Sequence, residues 1–226
     1  MFGLNIDPRN DEANPEPAEL KDLGVRIARY SFKRREDESE DQIIQLYKEK
    51  ALALADAGIQ SLIILTGESR PGNLGHPDYG KPEKNPPDPS WFSEYIPAMK
   101  KLAVRIAKEF PNGTAIQIWN EPEDGSTLES YRPQVSKKVF GAMLKELRPA
   151  VKKANQNTVV VAGGLSSGQP KWMADVIKNE MNGEAFFDAL AVHPYGKRAS
   201  KNLHPYEDSK SLLMVDLLNE YAKITS

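Results

Sequence analysis

The sequence predicts an α/β protein, a single domain over residues 1–226 in which βα units follow one another around a parallel sheet. Three observations carry this expectation. Short runs rich in Val, Ile and Leu alternate with long amphipathic stretches, each apolar run ends in small or polar residues, and no linker divides the chain.

Six strands are predicted: Phe2 to Ile6, Val25 to Tyr30, Ser61 to Thr66, Ala115 to Trp119, Val159 to Ala162 and Ala189 to His193. Between them the apolar period lengthens to that of a helix. In Pro89 to Phe110, residues Phe92, Tyr95, Ile96, Met99, Leu102, Ala103, Ile106 and Phe110 recur at spacings of three and four, which makes one face for a sheet. The same pattern predicts helices over Asp41 to Ala57, stopped by Gly58, and over Pro133 to Ala154, where Pro149 is expected to kink or interrupt the helix. A last helix is predicted over Tyr206 to Lys223. The stretch Arg70 to Ser90 holds six prolines and three glycines and reads as a long loop after the third strand. It either overhangs a binding face, bringing His76 and Tyr79 to a substrate, or is a solvent-exposed excursion. Lys33 to Arg35, followed at once by Glu36, Asp37 and Glu38, reads as a solvated, self-compensating loop.

Composition bounds the function. At 226 residues with 39% hydrophobic and 27% charged residues, the chain can bury a core without staples. A formal net charge of −2 provides no field to recruit nucleic acid or an anionic membrane, so a neutral or weakly polar partner is expected. Without cysteine there is no disulfide, thiolate metal site or cysteine nucleophile. No apolar run is long enough to span a membrane and no secretory leader is evident. The expected location is cytoplasmic as written, or secreted if the N-terminus is incomplete.

One carboxylate stands out. Glu121 directly follows the strand Ala115 to Trp119, so it falls at the C-terminal end of a strand, where barrel enzymes place their chemistry. Asn120 beside it offers an amide that both donates to and accepts from a sugar hydroxyl, and Pro122 fixes the backbone as the chain leaves the strand. Asp7 after the first strand and Glu68 after the third are further carboxylates able to point into the same mouth; for Glu68 a plain loop hydrogen-bonding role is the alternative.

The segment Ile116-Gln117-Ile118-Trp119-Asn120-Glu121-Pro122 resembles the fourth-strand motif of the clan A glycoside hydrolases, which include family five cellulases and family thirty-nine xylosidases. Leu20 to Tyr30 looks like the clan's first helix and second strand, with Arg29 matching its arginine better than Arg26. Phe187 to Gly196, containing His193-Pro194-Tyr195, is similar to the sixth strand, and Val159 to Ser166 to the fifth. The resemblance covers nearly the whole chain. It implies a TIM (β/α)8-type barrel and a retaining hydrolase acting on O-glycosidic bonds of a β-glycan or oligosaccharide. It makes Glu121 the general acid/base, Asn120 the ligand of the hydroxyl next to the anomeric carbon, and Arg29, His193 and Tyr195 the lining of the subsite. No cofactor is implied.

The sequence departs from that pattern at its end. The clan carries its nucleophilic glutamate after the seventh strand, in an apolar segment ending Thr-Glu or Ser-Glu, and no such segment is present. Glu207, Asp208, Asp216 and Glu220 belong to a loop and a helix. A full barrel takes about 250 residues, and the six units use all 226. The expectation is therefore a chain truncated before strand seven, with its open sheet edges free to self-associate and the double displacement incomplete. The alternative is a non-catalytic, degenerate barrel that binds carbohydrate or assembles with another chain.

The remaining candidates are weighed by context. His193 lacks the ligand spacing of a zinc site, since His76 and His204 lie in loops, and its His-Pro-Tyr setting favours sugar binding over a purely structural role. Gly163-Gly164-Leu165-Ser166-Ser167-Gly168 reads as a tight βα turn; as an anion cradle it would instead favour a barrel enzyme acting on a phosphorylated substrate. Trp91 and Trp172 read as packing residues, and Trp119 as packing behind the acid/base.

Overall fold

The computed structural model describes residues 2–10, 14–35, 37–69, 89–122, 135–166, 170–193 and 222–223. Among these residues, six parallel strands, each hydrogen-bonded to the next in chain order, form one curled sheet. They are β1 (Phe2–Asn5), β2 (Val25–Phe32), β3 (Gln60–Leu65), β4 (Ala115–Ile118), β5 (Val159–Ser166) and β6 (Ala189–His193). The helices between them are α1 (Pro17–Asp22), α2 (Glu40–Asp56), α3 (Pro89–Glu109), α4 (Lys137–Ala154) and α5 (Pro170–Asp175). This is the α/β, TIM-barrel-type arrangement expected from the sequence, with six units present. The predicted helix over Tyr206 to Lys223 falls outside the described residues except at 222–223, which are helical.

Alternation along each strand divides the sheet into two faces. Ala28, Tyr30 and Phe32 of β2, Ile63 and Leu65 of β3, Ile116 and Ile118 of β4, and Val160 and Ala162 of β5 are buried in one apolar cluster. The helices complete that cluster with Ile43, Tyr47 and Leu54 of α2, Tyr95, Met99 and Ile106 of α3, and Phe140, Leu144 and Val151 of α4. Arg29 and Gln117 sit one position out of phase with the buried residues of their strands, so they face away from the helices. Register puts Asn5 beside Arg29 and Ile64 beside Gln117.

The helices begin where side chains can take up orphan N–H groups. Ser39 caps α2, accepting from the Gln42 N–H at 3.2 Å while the Gln42 side chain accepts from the Ser39 N–H at 3.0 Å. Ser136 accepts from the Val139 N–H at 3.2 Å, so α4 starts at Lys137 and not at Pro133. Pro149 does not interrupt α4, which runs unbroken to Ala154. Leu147 and Val151 are buried on either side of the proline, and that packing holds both halves in one helix.

Charges tie the segments together over long sequence distances. Asp188 at the foot of β6 accepts from the Val160 N–H at 2.9 Å and pairs with Lys152 at 2.7 Å and Arg148 at 2.9 Å. At the opposite end, Arg9 of the β1–α1 loop grips Glu38 of the β2–α2 loop through both guanidinium tips, at 3.0 and 2.5 Å, and also donates to the Lys33 carbonyl. The Lys33 to Arg35 cluster is thus balanced largely by partners outside its own loop: Lys33 lies 3.7 Å from Glu68 and Arg34 3.9 Å from Glu40. Among the described residues, no helix is long and apolar enough to cross a membrane.

Arg9, helped by the Arg35 N–H, pulls the Glu38 carboxyl down from 4.5 to about 2. A carboxyl whose folded value lies below its unfolded one contributes stability that is complete above about 4.5 and is lost as pH falls towards about 2. Glu38→Gln is therefore expected to lower Tm at pH 7 by roughly 2–4 °C, the equivalent of about 1 kcal/mol in a domain of this size. In thermal melts from pH 7 to pH 2 the gap to the parent should close within that acidic window. A gap independent of pH would assign the loss to shape instead of charge.

Candidate active site

Beyond β4 the backbone leaves the strand through two left-handed residues, Trp119 at φ 66° and Glu121 at φ 50°. Side chains other than glycine adopt this region at a cost of roughly 1–3 kcal/mol each, and they hold it only where the surroundings over-determine it. Here the determinants are specific. The Trp119 N–H donates to the Leu65 carbonyl at 2.8 Å, the Glu121 N–H to the Gly164 carbonyl at 3.0 Å, and the Gln117 amide to the Trp119 carbonyl at 2.7 Å. The Trp119 ring is buried edge-on against Tyr95, with centroids 5.7 Å apart, so it packs behind the site as the sequence predicts.

This turn delivers Glu121 and Asn120 to a cluster assembled from β1, β2, β4 and β6. Glu121 is 5% exposed, and its Oε1 lies 2.7 Å from Nδ1 of His193. Arg29 reaches neighbours on three other strands or their ends. Its Nε donates to Gln117 at 3.1 Å, Nη1 to Asn5 at 3.2 Å and Nη2 to Asn120 at 2.7 Å, while Nη2 also lies 3.4 Å from Nε2 of His193. A guanidinium can only donate, so a neutral His193 facing it would accept at Nε2 and donate from Nδ1 to Glu121.

Four of the residues singled out from the sequence, Glu121, Asn120, Arg29 and His193, are thus brought together, while Arg26 is exposed. Tyr195 lies outside the described residues, as do His76, Tyr79, His204, Glu207, Asp208, Asp216 and Glu220. Glu68 sits in a 3-10 turn after β3, with a side chain 43% exposed that lies 3.7 Å from Lys33. Asp7 accepts from the Arg9 N–H at 3.2 Å within its own loop. Trp172 packs against Phe140 with ring centroids 5.5 Å apart. Among the described residues, no group of three or more His, Asp or Glu is arranged to hold a metal ion.

Two members escaped the sequence reading. Asn5 looked like any strand-end residue. Gln117 carried a detectable signal, a lone amide inside the apolar run Ala115–Ile118, and its complete burial beneath Arg29 explains it. The segment beginning at Gly163 also differs from expectation. It is not a βα turn, because β5 continues to Ser166 through a bulge between Gly163 and Leu165. Gly164 has φ 125°, and a Cβ there would lie 2.9 Å from both the Gln117 amide nitrogen and His193 Nε2. Glycine is required because two site residues close over its backbone.

No protein-family model and no curated protein matches the chain. Solved structures do. A GH5-4 broad-specificity endoglucanase from Clostridium acetobutylicum superposes with a TM-score of 0.66 at 10% identity, over 99% of this chain and 73% of its own. A glycoside hydrolase family 30 subfamily 8 xylanase from the same organism gives 0.62 at 14% identity, over 92% of this chain and 52% of its own. A trimodular GH5_4 endoglucanase gives 0.62 at 10% identity over 98% of this chain, which spans 45% of that protein's length. At these identities the likeness is one of fold alone, a TIM-barrel frame shared with these glycoside hydrolases.

Gly164→Ala is expected to cost about 1–3 kcal/mol, the range for forcing a methyl group into a filled site, and to push His193 away from Glu121. Gly24→Ala is the control, because its φ of 79° is also left-handed but a Cβ there meets nothing within 4 Å. Comparing melting temperatures and the 15N shift of His193 Nδ1 separates the effects. Both variants should lose stability, and only Gly164→Ala should move the histidine.

Proposed function

We propose that this chain is a glycoside hydrolase of the retaining type, acting on O-glycosidic bonds of a β-glycan or oligosaccharide, with Glu121 as its general acid/base. The observation that carries the reading is the enclosed Glu121 carboxylate, held through one oxygen by His193 beside an Asn120 whose carbonyl is held by Arg29.

Glu121, held at Oε1 by the imidazole of His193, is the group that carries a proton to the leaving group. As the glycosidic C–O bond breaks, that proton passes to the departing oxygen and the anomeric carbon bonds to a nucleophilic carboxylate; Glu121 then takes a proton from the water whose oxygen displaces that carboxylate from the anomeric carbon. The His193 N–H supports the carboxylate in this second role. Asn120 has its carbonyl occupied by a cation, which turns its NH2 group to donate to a substrate hydroxyl. Arg29 and His193 form the floor of the subsite, and Tyr195 is proposed to join them. Retention further requires a second carboxyl about 5–5.5 Å away as nucleophile, a role for which no residue of this sequence is proposed.

One observation favours a second reading, assembly of the chain with a second copy. Among the described residues β1 pairs on one side only, and Phe2 on that strand is 55% exposed.

The test is hydrolysis of 4-nitrophenyl β-glucoside, β-xyloside and β-mannoside and of β-1,4-linked oligosaccharides by the parent, Glu121→Gln and Asn120→Ala. The parent turns over a substrate only where a nucleophilic carboxyl is supplied to it. Glu121→Gln should lose about 10²- to 10⁴-fold, the usual worth of a positioned acid/base. Equal rates for parent and Glu121→Gln would remove Glu121 from the chemistry. A parent that binds oligosaccharides without cleaving them, or sediments as a dimer, would favour a binding or assembly role.

A further inference from the structure

We propose that Gln117 is a positioning residue that sets the direction of the acid/base from beneath it. The inference rests on the reading of Glu121 as the acid/base. Gln117 is wholly buried, and both ends of its amide are used: Oε1 accepts from Arg29 Nε at 3.1 Å, and Nε2 donates to the Trp119 carbonyl at 2.7 Å. These contacts lie on the two routes by which the site is oriented. Through Arg29 the amide fixes the guanidinium that holds Asn120 and touches His193, the ring that grips Glu121. Through Trp119 it fixes the left-handed turn from which Asn120 and Glu121 project.

Chemistry explains why glutamine stands here. A side-chain amide accepts from a cation and donates to a carbonyl at once, whereas an ionised carboxylate only accepts and an aliphatic chain does neither. Asparagine, one methylene shorter, does not span both partners. The absent side chain of Gly164 leaves the room in which the amide lies.

Gln117→Met removes both contacts, and Gln117→Glu keeps an acceptor for Arg29 while removing the donor to Trp119. In 15N NMR, Gln117→Met should make the Arg29 Nε–H exchange with solvent at least tenfold faster and should shift His193 Nδ1. Gln117→Glu should restore the arginine protection. With an active substrate, kcat should fall at least tenfold in Gln117→Met with a smaller change in KM. A residue serving stability alone would lower Tm while leaving the arginine and histidine signals in place, and a folded Gln117→Met with both unmoved overturns the proposal. If that variant does not fold, the parent decides: an Arg29 Nε–H exchanging as fast as that of an exposed arginine also overturns it. Absence of glycosidase activity in the parent with a nucleophilic carboxyl supplied would count against the acid/base reading, and the exchange and histidine signals would still decide the positioning role.

Discussion

The arrangement of the site depends on one guanidinium that needs acceptors. Arg29 projects from the middle of β2 onto the face of the sheet opposite the helices, where its donors must be met by neighbouring strands. It draws Asn5 from β1, Gln117 and Asn120 from β4 and its turn, and His193 from β6. A cation on one strand thereby sets the side-chain directions of three others, and Glu121 is fixed through the last of them.

The apolar half of the structure makes this possible. Buried residues of alternate strand positions pack on α2, α3 and α4 and hold the strands in register, so that polar residues on the other face meet at defined distances. The same rigidity supports the two left-handed residues after β4 and the bulge at Gly163–Gly164, neither of which isolated strands would keep. The strained turn and the bulge lie against each other, joined by the hydrogen bond from the Glu121 N–H to the Gly164 carbonyl. Two departures from regular structure, the turn and the bulge, thus meet at the candidate site.

The sequence made much of this legible, for identifiable reasons. All six strands announced themselves because each carries apolar residues on the face that packs under the helices, and Glu121 was found because a carboxylate directly after such a run falls at the strand's C-terminal end. Arg29 was separated from Arg26 by its motif, and the structure adds that only Arg29 has the right phase along β2. The bulge was not legible: two successive glycines serve a tight turn and a strand irregularity equally well, and the difference lies in Gln117 and His193, which come from other strands. Asn5 was missed for a similar reason, since its meaning depends wholly on Arg29. Arg9 and Glu38, 29 residues apart, could not be matched from local charge pattern either, and neither could the continuation of α4 through Pro149, which long-range packing decides.

A proton delivered by Glu121 to the leaving group is the central step of the proposed reaction. The direct measurement is kcat/KM for aryl β-glycosides whose phenols span pKa values of about 4 to 10, with the parent and Glu121→Ala side by side; a positioned acid matters most for the poorest leaving group. The account predicts a shallow dependence in the parent and a steep one in the variant, which should approach the parent only on the most acidic phenol. Parallel dependences in the two proteins would contradict it.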